Sequence, residues 1–234
     1  MNNILLVLIF IINFNFIFSI QTLKLGTLEY APYIYKENDT AKGEISEMLD
    51  KVFNEMGYQV EYYFYPWART LELVKDGKLD GVFTIKKTPS RELEMIYPKE
   101  YLVKQDYVFF ASKDSKINFN GDFNSIKNYK IGVINATSYG EKFDTALAKG
   151  VLKNIDYANN YKSTFQKLVA NRVDIVICSK LVGQNLLKEL DATNKIVIIG
   201  QPVETAYSYI AFNKNNEMKI LAEKFSKLIV KYRK

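Results

Sequence analysis

The chain carries the same α/β unit twice. Leu23-Lys24-Leu25-Gly26 reads as a short strand entering a glycine turn, and Lys130-Ile131-Gly132-Val133 restates it in the second half. Residues 73–83 read as a helix end, a turn and a strand, and residues 168–177 restate that, one residue shorter. A chain built this way is constrained to two similar lobes. Two lobes leave a cleft between them, and such clefts are where small molecules bind.

The periodicities around these markers predict α/β crossovers. Ile45, Met48, Leu49, Val52, Phe53 and Met56 recur at helical spacing, and Gly57 stops that helix. Residues 58–65 alternate and are rich in aromatics, which predicts a strand. Pro66 suits the first turn of a helix running to Lys75, and residues 79–84 read as an apolar strand. This order implies parallel pairing, because parallel strands need crossover helices. After a β-like run at 103–111, the pattern restarts at 131–134. Ser138-Tyr139-Gly140-Glu141 has the form of a capping box opening a helix through Ala148. Ser163 is placed to cap the helix of Phe165, Leu168 and Val169. Residues 173–178, 196–199 and 207–212 read as strands, and 181–190 and 217–232 as helices.

Composition narrows the chemistry. The 234 residues are 48% hydrophobic, enough for a core. There is no histidine, which removes the commonest general base and the commonest zinc ligand. Cys178 is the only cysteine, so no internal disulfide, thiolate cluster or CxxC pair forms. No metal site and no cofactor are expected. The net charge of +6 admits acidic ligands, but the lysines are scattered and no basic block argues for nucleic acid. Residues 4–19 form an apolar run broken by Asn13 and Asn15, with no charge before Lys24. That run predicts a secretory signal peptide over residues 1–21, or else an uncleaved membrane anchor. Either way the folded part is exported, to the periplasm or the exterior.

Several short motifs recur in a telling order: Gly26 to Pro32, Gly43, Gly77-Lys78-Leu79-Asp80-Gly81, Thr88-Pro89-Ser90-Arg91, Lys130-Ile131-Gly132-Val133 and Tyr209-Ile210-Ala211-Phe212. In these the chain resembles the bacterial periplasmic solute-binding proteins of the polar-amino-acid ABC importer family, extracellular solute-binding protein family 3. The resemblance implies a two-lobed α/β fold of the type II periplasmic-binding-protein kind. Each lobe is then a mostly parallel sheet flanked by helices, and a two-strand hinge closes them over a ligand. It implies lobe 1 at 22–104 plus 207–234, lobe 2 at 110–202, and hinges near 105–109 and 203–206. It implies no catalysis. A monomer would capture a small polar or anionic solute, an amino acid or small organic anion, for an ABC permease in the inner membrane. Two rivals remain open. One is an enzyme on the same fold, cyclohexadienyl-dehydratase-like, for which Glu29 is the one obvious acid and which no paired carboxylates support. The other is a sensor or interaction module without a transport role.

The resemblance also implies a site. Arg91 matches the arginine that grips a ligand α-carboxylate, where a guanidinium makes paired charge-assisted hydrogen bonds. Tyr30 and Trp67 match aromatics flanking the ligand side chain. Arg69, on the same helical turn as Trp67, is a second anion-binding group or a solvated arginine. Thr84, Ile85 and Lys86 match a segment that binds ligand ammonium and carboxylate, with Lys86 in place of the family's hydroxyl. Thr137 and Ser138 match a second-lobe loop that donates to the carboxylate at a helix N-terminus. Ser179 stands where amino-acid binders of the family carry an aspartate for the α-ammonium. With that aspartate lost and Lys86 gained, an anionic or uncharged ligand is expected, and Glu29 is the carboxylate left to receive an ammonium.

Overall fold

The repeated sequence folds into a repeated structure. The computed structural model describes residues 21–233. The expected signal peptide or anchor lies outside the described residues, apart from Gln21, which already belongs to the first strand. In the first copy, β1 (Gln21–Thr27) leads through a hairpin, β2 (Tyr35–Glu37) and β3 (Thr40–Lys42), into α1 (Glu44–Glu55). Then come β4 (Tyr58–Phe64), α2 (Trp67–Lys75), β5 (Gly81–Lys86) and a short α3 (Pro89–Glu94). The long strand β6 (Val103–Ser112) leaves this unit. The second copy holds β7 (Ile131–Ile134), α4 (Glu141–Ala148), β8 (Ile155–Ala158), α5 (Tyr161–Val169), β9 (Ile175–Ser179) and α6 (Lys180–Glu189). The strand β10 (Ile196–Phe212) returns to the first unit, and α7 (Asn216–Tyr232) packs there against α1. Among the described residues, no helix is long and apolar enough to cross a membrane.

One sheet runs through both copies in the order β4-β1-β5-β10-β6-β9-β7-β8. In the first copy β1 pairs parallel with β4 and β5, and in the second β7 pairs parallel with β8 and β9. The central strands β10 and β6 run antiparallel to each other and to their flanking neighbours. The result is two mostly parallel lobes flanked by helices and joined by two extended strands, the architecture the resemblance implied.

The sequence repeat has a physical cause. In each copy an aspartate ties the turn before the inner strand to the lobe's central strand. The Lys24 N–H donates to Asp80 at 2.8 Å, and the Lys130 N–H donates to Asp174 at 2.7 Å. The return bonds, Asp80 N–H to the Lys24 carbonyl and Asp174 N–H to the Lys130 carbonyl, are 2.9 and 2.8 Å. The glycine that follows in each copy lets a helix close on the strand. A Cβ on Gly26 would meet Thr70 Cγ2 of α2 at 2.6 Å, and one on Gly132 would meet Thr164 Cγ2 of α5 at 2.7 Å. Both cores are aromatic. Phe53 packs near Phe225 in the first lobe and Phe110 near Phe165 in the second, with ring centroids 5.4 and 5.1 Å apart.

Three local expectations are corrected. The segments 196–199 and 207–212 are one strand, β10, whose register against β6 shifts between Ile199 and Glu204. The strand continues through Gly200 and Pro202, and only the ladder is interrupted there. Ser138 does not cap α4: Gly140 is the N-cap, without a side-chain bond, and Ser138 donates instead to Asp144. Ser163 does not cap α5 either. Asn160 does, its side chain accepting the Ser163 N–H at 2.8 Å.

Candidate functional site

The parallel strands of each lobe send their C-terminal loops to one edge, the usual place for a ligand in an α/β sheet. There a small cavity opens between the lobes. The first lobe contributes Leu28, Tyr30, Trp67, Thr84, Lys86 and Arg91, β6 contributes Tyr107, and the second lobe contributes Thr137, Ser138 and Tyr161. Of the residues expected from sequence, Tyr30, Trp67, Thr84, Lys86, Arg91, Thr137 and Ser138 therefore meet in one place.

The other four lie outside the lining. Glu29 is exposed and accepts the Lys36 N–H at 3.2 Å. Partial burial raises its carboxyl pKa, opposed by that bond and by the Lys36 charge. Arg69 faces Glu72 at 3.6 Å, and both side chains are exposed. Ile85 is fully buried in the core, while its neighbours Thr84 and Lys86 line the cavity. Ser179 is buried at the N-cap of α6, and its hydroxyl has no hydrogen-bond partner.

Arg91 is positioned by the first turn of α3, where the Thr88 hydroxyl accepts its backbone N–H. Its guanidinium donates to the Lys86 carbonyl at 3.0 Å and, across the cleft, to the Ala136 carbonyl at 2.8 Å. The Trp67 indole N–H donates to the same Ala136 oxygen at 3.2 Å. Ala136 sits at φ 58°, in the left-handed region, a conformation uncommon for a residue with a Cβ. Burial lowers the Arg91 pKa, while Tyr97 and Asp144 act in the opposite direction. Next to Ala136, the Thr137 hydroxyl is buried without a partner.

Lys86 is 6% exposed at the end of β5. Its Nζ donates to the Tyr107 hydroxyl at 2.7 Å, the Ser208 hydroxyl at 2.7 Å and Gln105 Oε1 at 3.4 Å. It also lies 4.4 Å from the Tyr107 ring centroid. All three acceptors belong to the strands that join the lobes, and all are neutral. Burial, followed by the Arg91 charge, depresses the Lys86 pKa to about 7. Among the described residues neither Lys86 nor Arg91 forms an ion pair.

Aromatic rings complete the walls. The Tyr30 and Tyr107 hydroxyls are 2.9 Å apart, and the Tyr30 ring lies 5.5 Å from that of Tyr161 in the second lobe. Burial raises the pKa of all three phenols, so they stay neutral. Sequence reasoning missed Tyr107, Tyr161, Gln105, Ser208 and the Ala136 carbonyl. Tyr107 sits in an apolar strand run where nothing separates it from a core aromatic. Tyr161 does follow a helix cap, Asn160, and that position is the signal that could have found it.

Comparison with known proteins bears on these observations. The sequence pattern of the bacterial extracellular solute-binding proteins, family 3, matches residues 23–234. The arginine-binding extracellular protein ArtP of Bacillus subtilis (strain 168) is 26% identical over 211 residues, 89% of this chain and 80% of that one. An ancestral arginine-binding protein, solved bound to arginine, is similar with a TM-score of 0.77 at 21% identity, covering 90% of this chain and 91% of its own. A histidine kinase sensor domain with similarity to periplasmic binding proteins has a TM-score of 0.79 at 18% identity, covering 91% and 90%. The two structures share the two-lobed fold with this chain.

Proposed function

The chain belongs to the bacterial extracellular solute-binding proteins, family 3, and on that premise we propose that it is an exported protein capturing a small polar or anionic solute between its lobes. The observation that carries this reading is the contact across the cleft. Arg91 and Trp67 of one lobe converge on the Ala136 carbonyl of the other, beside a cavity lined from both sides. Lobe 1 comprises residues 22–104 plus 207–234, lobe 2 residues 110–202, and the lobes close about segments 105–109 and 203–206. Tyr30, Trp67, Thr84, Lys86, Arg91, Thr137 and Ser138 contact the solute, with Tyr107 and Tyr161 completing the walls. The protein works as a monomer in the periplasm or outside the cell and delivers its solute to an ABC permease.

The same geometry disfavours catalysis. No carboxylate lines the cavity among the described residues, and Glu29, the acid an enzyme reading needs, is exposed outside it. A second reading, a sensor, draws support from the likeness to the histidine kinase sensor domain. Permease and ATPase genes beside this one favour transport, and a kinase fusion among relatives favours sensing. Capture itself is tested by a thermal-shift screen, because a solute specific for the folded form raises apparent stability by mass action.

A further inference from the structure

We infer that the solute is a small organic dianion without an ammonium group, a dicarboxylate being the simplest case; this rests on the capture reading above. The charge balance inside the cavity carries it. Two cationic side chains, Lys86 and Arg91, line the space and both are nine-tenths or more buried; among the described residues no carboxylate lines it or pairs with either, and Asp144 and Glu204 act on Lys86 from beyond the lining. A buried charge without a counter-charge is unfavourable until something negative arrives. Lys86 is solvated only by the neutral Gln105, Tyr107 and Ser208 side chains, so its charge is held but not neutralised.

The donors are arranged for anionic oxygens. Arg91 and the Trp67 indole already converge on one carbonyl oxygen, that of Ala136, in the fork a carboxylate oxygen accepts. The unpartnered Thr137 hydroxyl adjoins that point. An ammonium finds no carboxylate in the lining among the described residues. The nearby acids are committed elsewhere: Asp144 accepts from the Ser138 hydroxyl and the Tyr139 N–H, and Glu204 accepts the Lys142 N–H. Ser179, at the position the family resemblance links to an ammonium, is neutral and lies outside the lining. One negative group therefore sits at Arg91 and a second near Lys86, with a short carbon skeleton joining them along the aromatic lining. This is the opposite polarity from the arginine that two of the compared proteins are named for.

Calorimetry with malonate, succinate, glutarate, aspartate and arginine tests the inference on the purified protein. At least one dicarboxylate should bind saturably. Aspartate, which adds one ammonium to succinate, should bind more weakly by on the order of 30-fold or more, and arginine should give no binding heat. Repeating the titration above the Lys86 midpoint of about 7, in buffers of different ionisation enthalpy, should reveal proton uptake as the anion recharges Lys86. Besides Tyr107 in direct contact, the groups acting on Lys86 are Arg91, Asp144, Glu204 and Cys178. This readout needs no variant to fold. Arginine or aspartate binding as tightly as the best dicarboxylate overturns the inference and leaves capture intact. Failure of every dicarboxylate also overturns it, and the capture reading then stands or falls on whether any solute compacts the protein.

Discussion

The Arg91 guanidinium reaches across the cleft to the carbonyl of Ala136, 2.8 Å away. Arg91 belongs to the first lobe and Ala136 to the second, so the bond exists only while the lobes are together. A solute anion would compete with that carbonyl for the same donors. Arg91→Ala should therefore abolish or strongly weaken solute binding. Losing one desolvated, charge-assisted contact costs ~2–5 kcal/mol, or roughly 30- to several-thousand-fold in affinity. Titration curves unchanged from the parent, with folding intact by circular dichroism, would remove Arg91 from the site.

Trp67 shares the Ala136 acceptor and is the sole tryptophan. Its emission reports on the cleft without labelling. A captured solute should change that emission and reduce quencher access saturably, and Trp67→Phe should remove the optical signal while the protein stays folded. Emission and quenching untouched by a solute that calorimetry shows to bind would place Trp67 in the static core.

Lys86 sets a pH dependence of stability whose sign follows from its depressed pKa of about 7. The unfolded chain keeps this lysine protonated to about 10.4. Between those values the unfolded state binds more protons, so the stability of the solute-free protein rises with pH. Below about pH 7 the buried charge weighs fully against folding. Lys86→Met should therefore stabilise the solute-free protein most below that midpoint, by about 1–4 kcal/mol as when buried ions give way to apolar groups. The gain should shrink towards the unfolded lysine's own range. The abandoned acceptors keep partners, since Ser208 bonds Gln105 at 2.7 Å and Tyr107 pairs with Tyr30. Chemical-denaturation curves across this range check it, and a gain independent of pH would contradict it.

Gly132→Ala tests the packing that the repeat encodes. The new Cβ would meet Thr164 Cγ2 at 2.7 Å and Val176 Cγ2 at 3.2 Å. Overpacking of this kind costs about 1–3 kcal/mol, visible as a lower melting temperature. An unchanged melt would mean that α5 shifts freely on β7.

The same residues show how far the fold and the site were legible in the chain. The repeat pointed to two lobes because each recurring residue acts at short range. Lys24 and Lys130 present backbone groups to Asp80 and Asp174, and Gly26 and Gly132 admit a helix. Arg91, Trp67 and Lys86 stood out through their motif positions. Tyr107, Gln105 and Ser208 did not, because they act through pairing between strands far apart in sequence, and β6 and β10 read as ordinary apolar runs. The continuity of β10 was hidden by Gly200 and Pro202, turn formers at which pairing with β6 lapses before resuming at Glu204. Ser138 satisfied the capping-box pattern, but Asp144 took its hydroxyl. Local pattern cannot rank two partners for one hydroxyl, a backbone N–H it would accept from as a cap and the carboxylate it donates to.

Capture by closure is read out by solution scattering on the purified protein. With a solute identified by thermal shift and held at saturation, the radius of gyration should fall from its solute-free value, and Arg91→Ala should prevent the fall. A solute that binds by calorimetry while leaving the radius unchanged, in both the parent protein and Arg91→Ala, would rule out capture by closure.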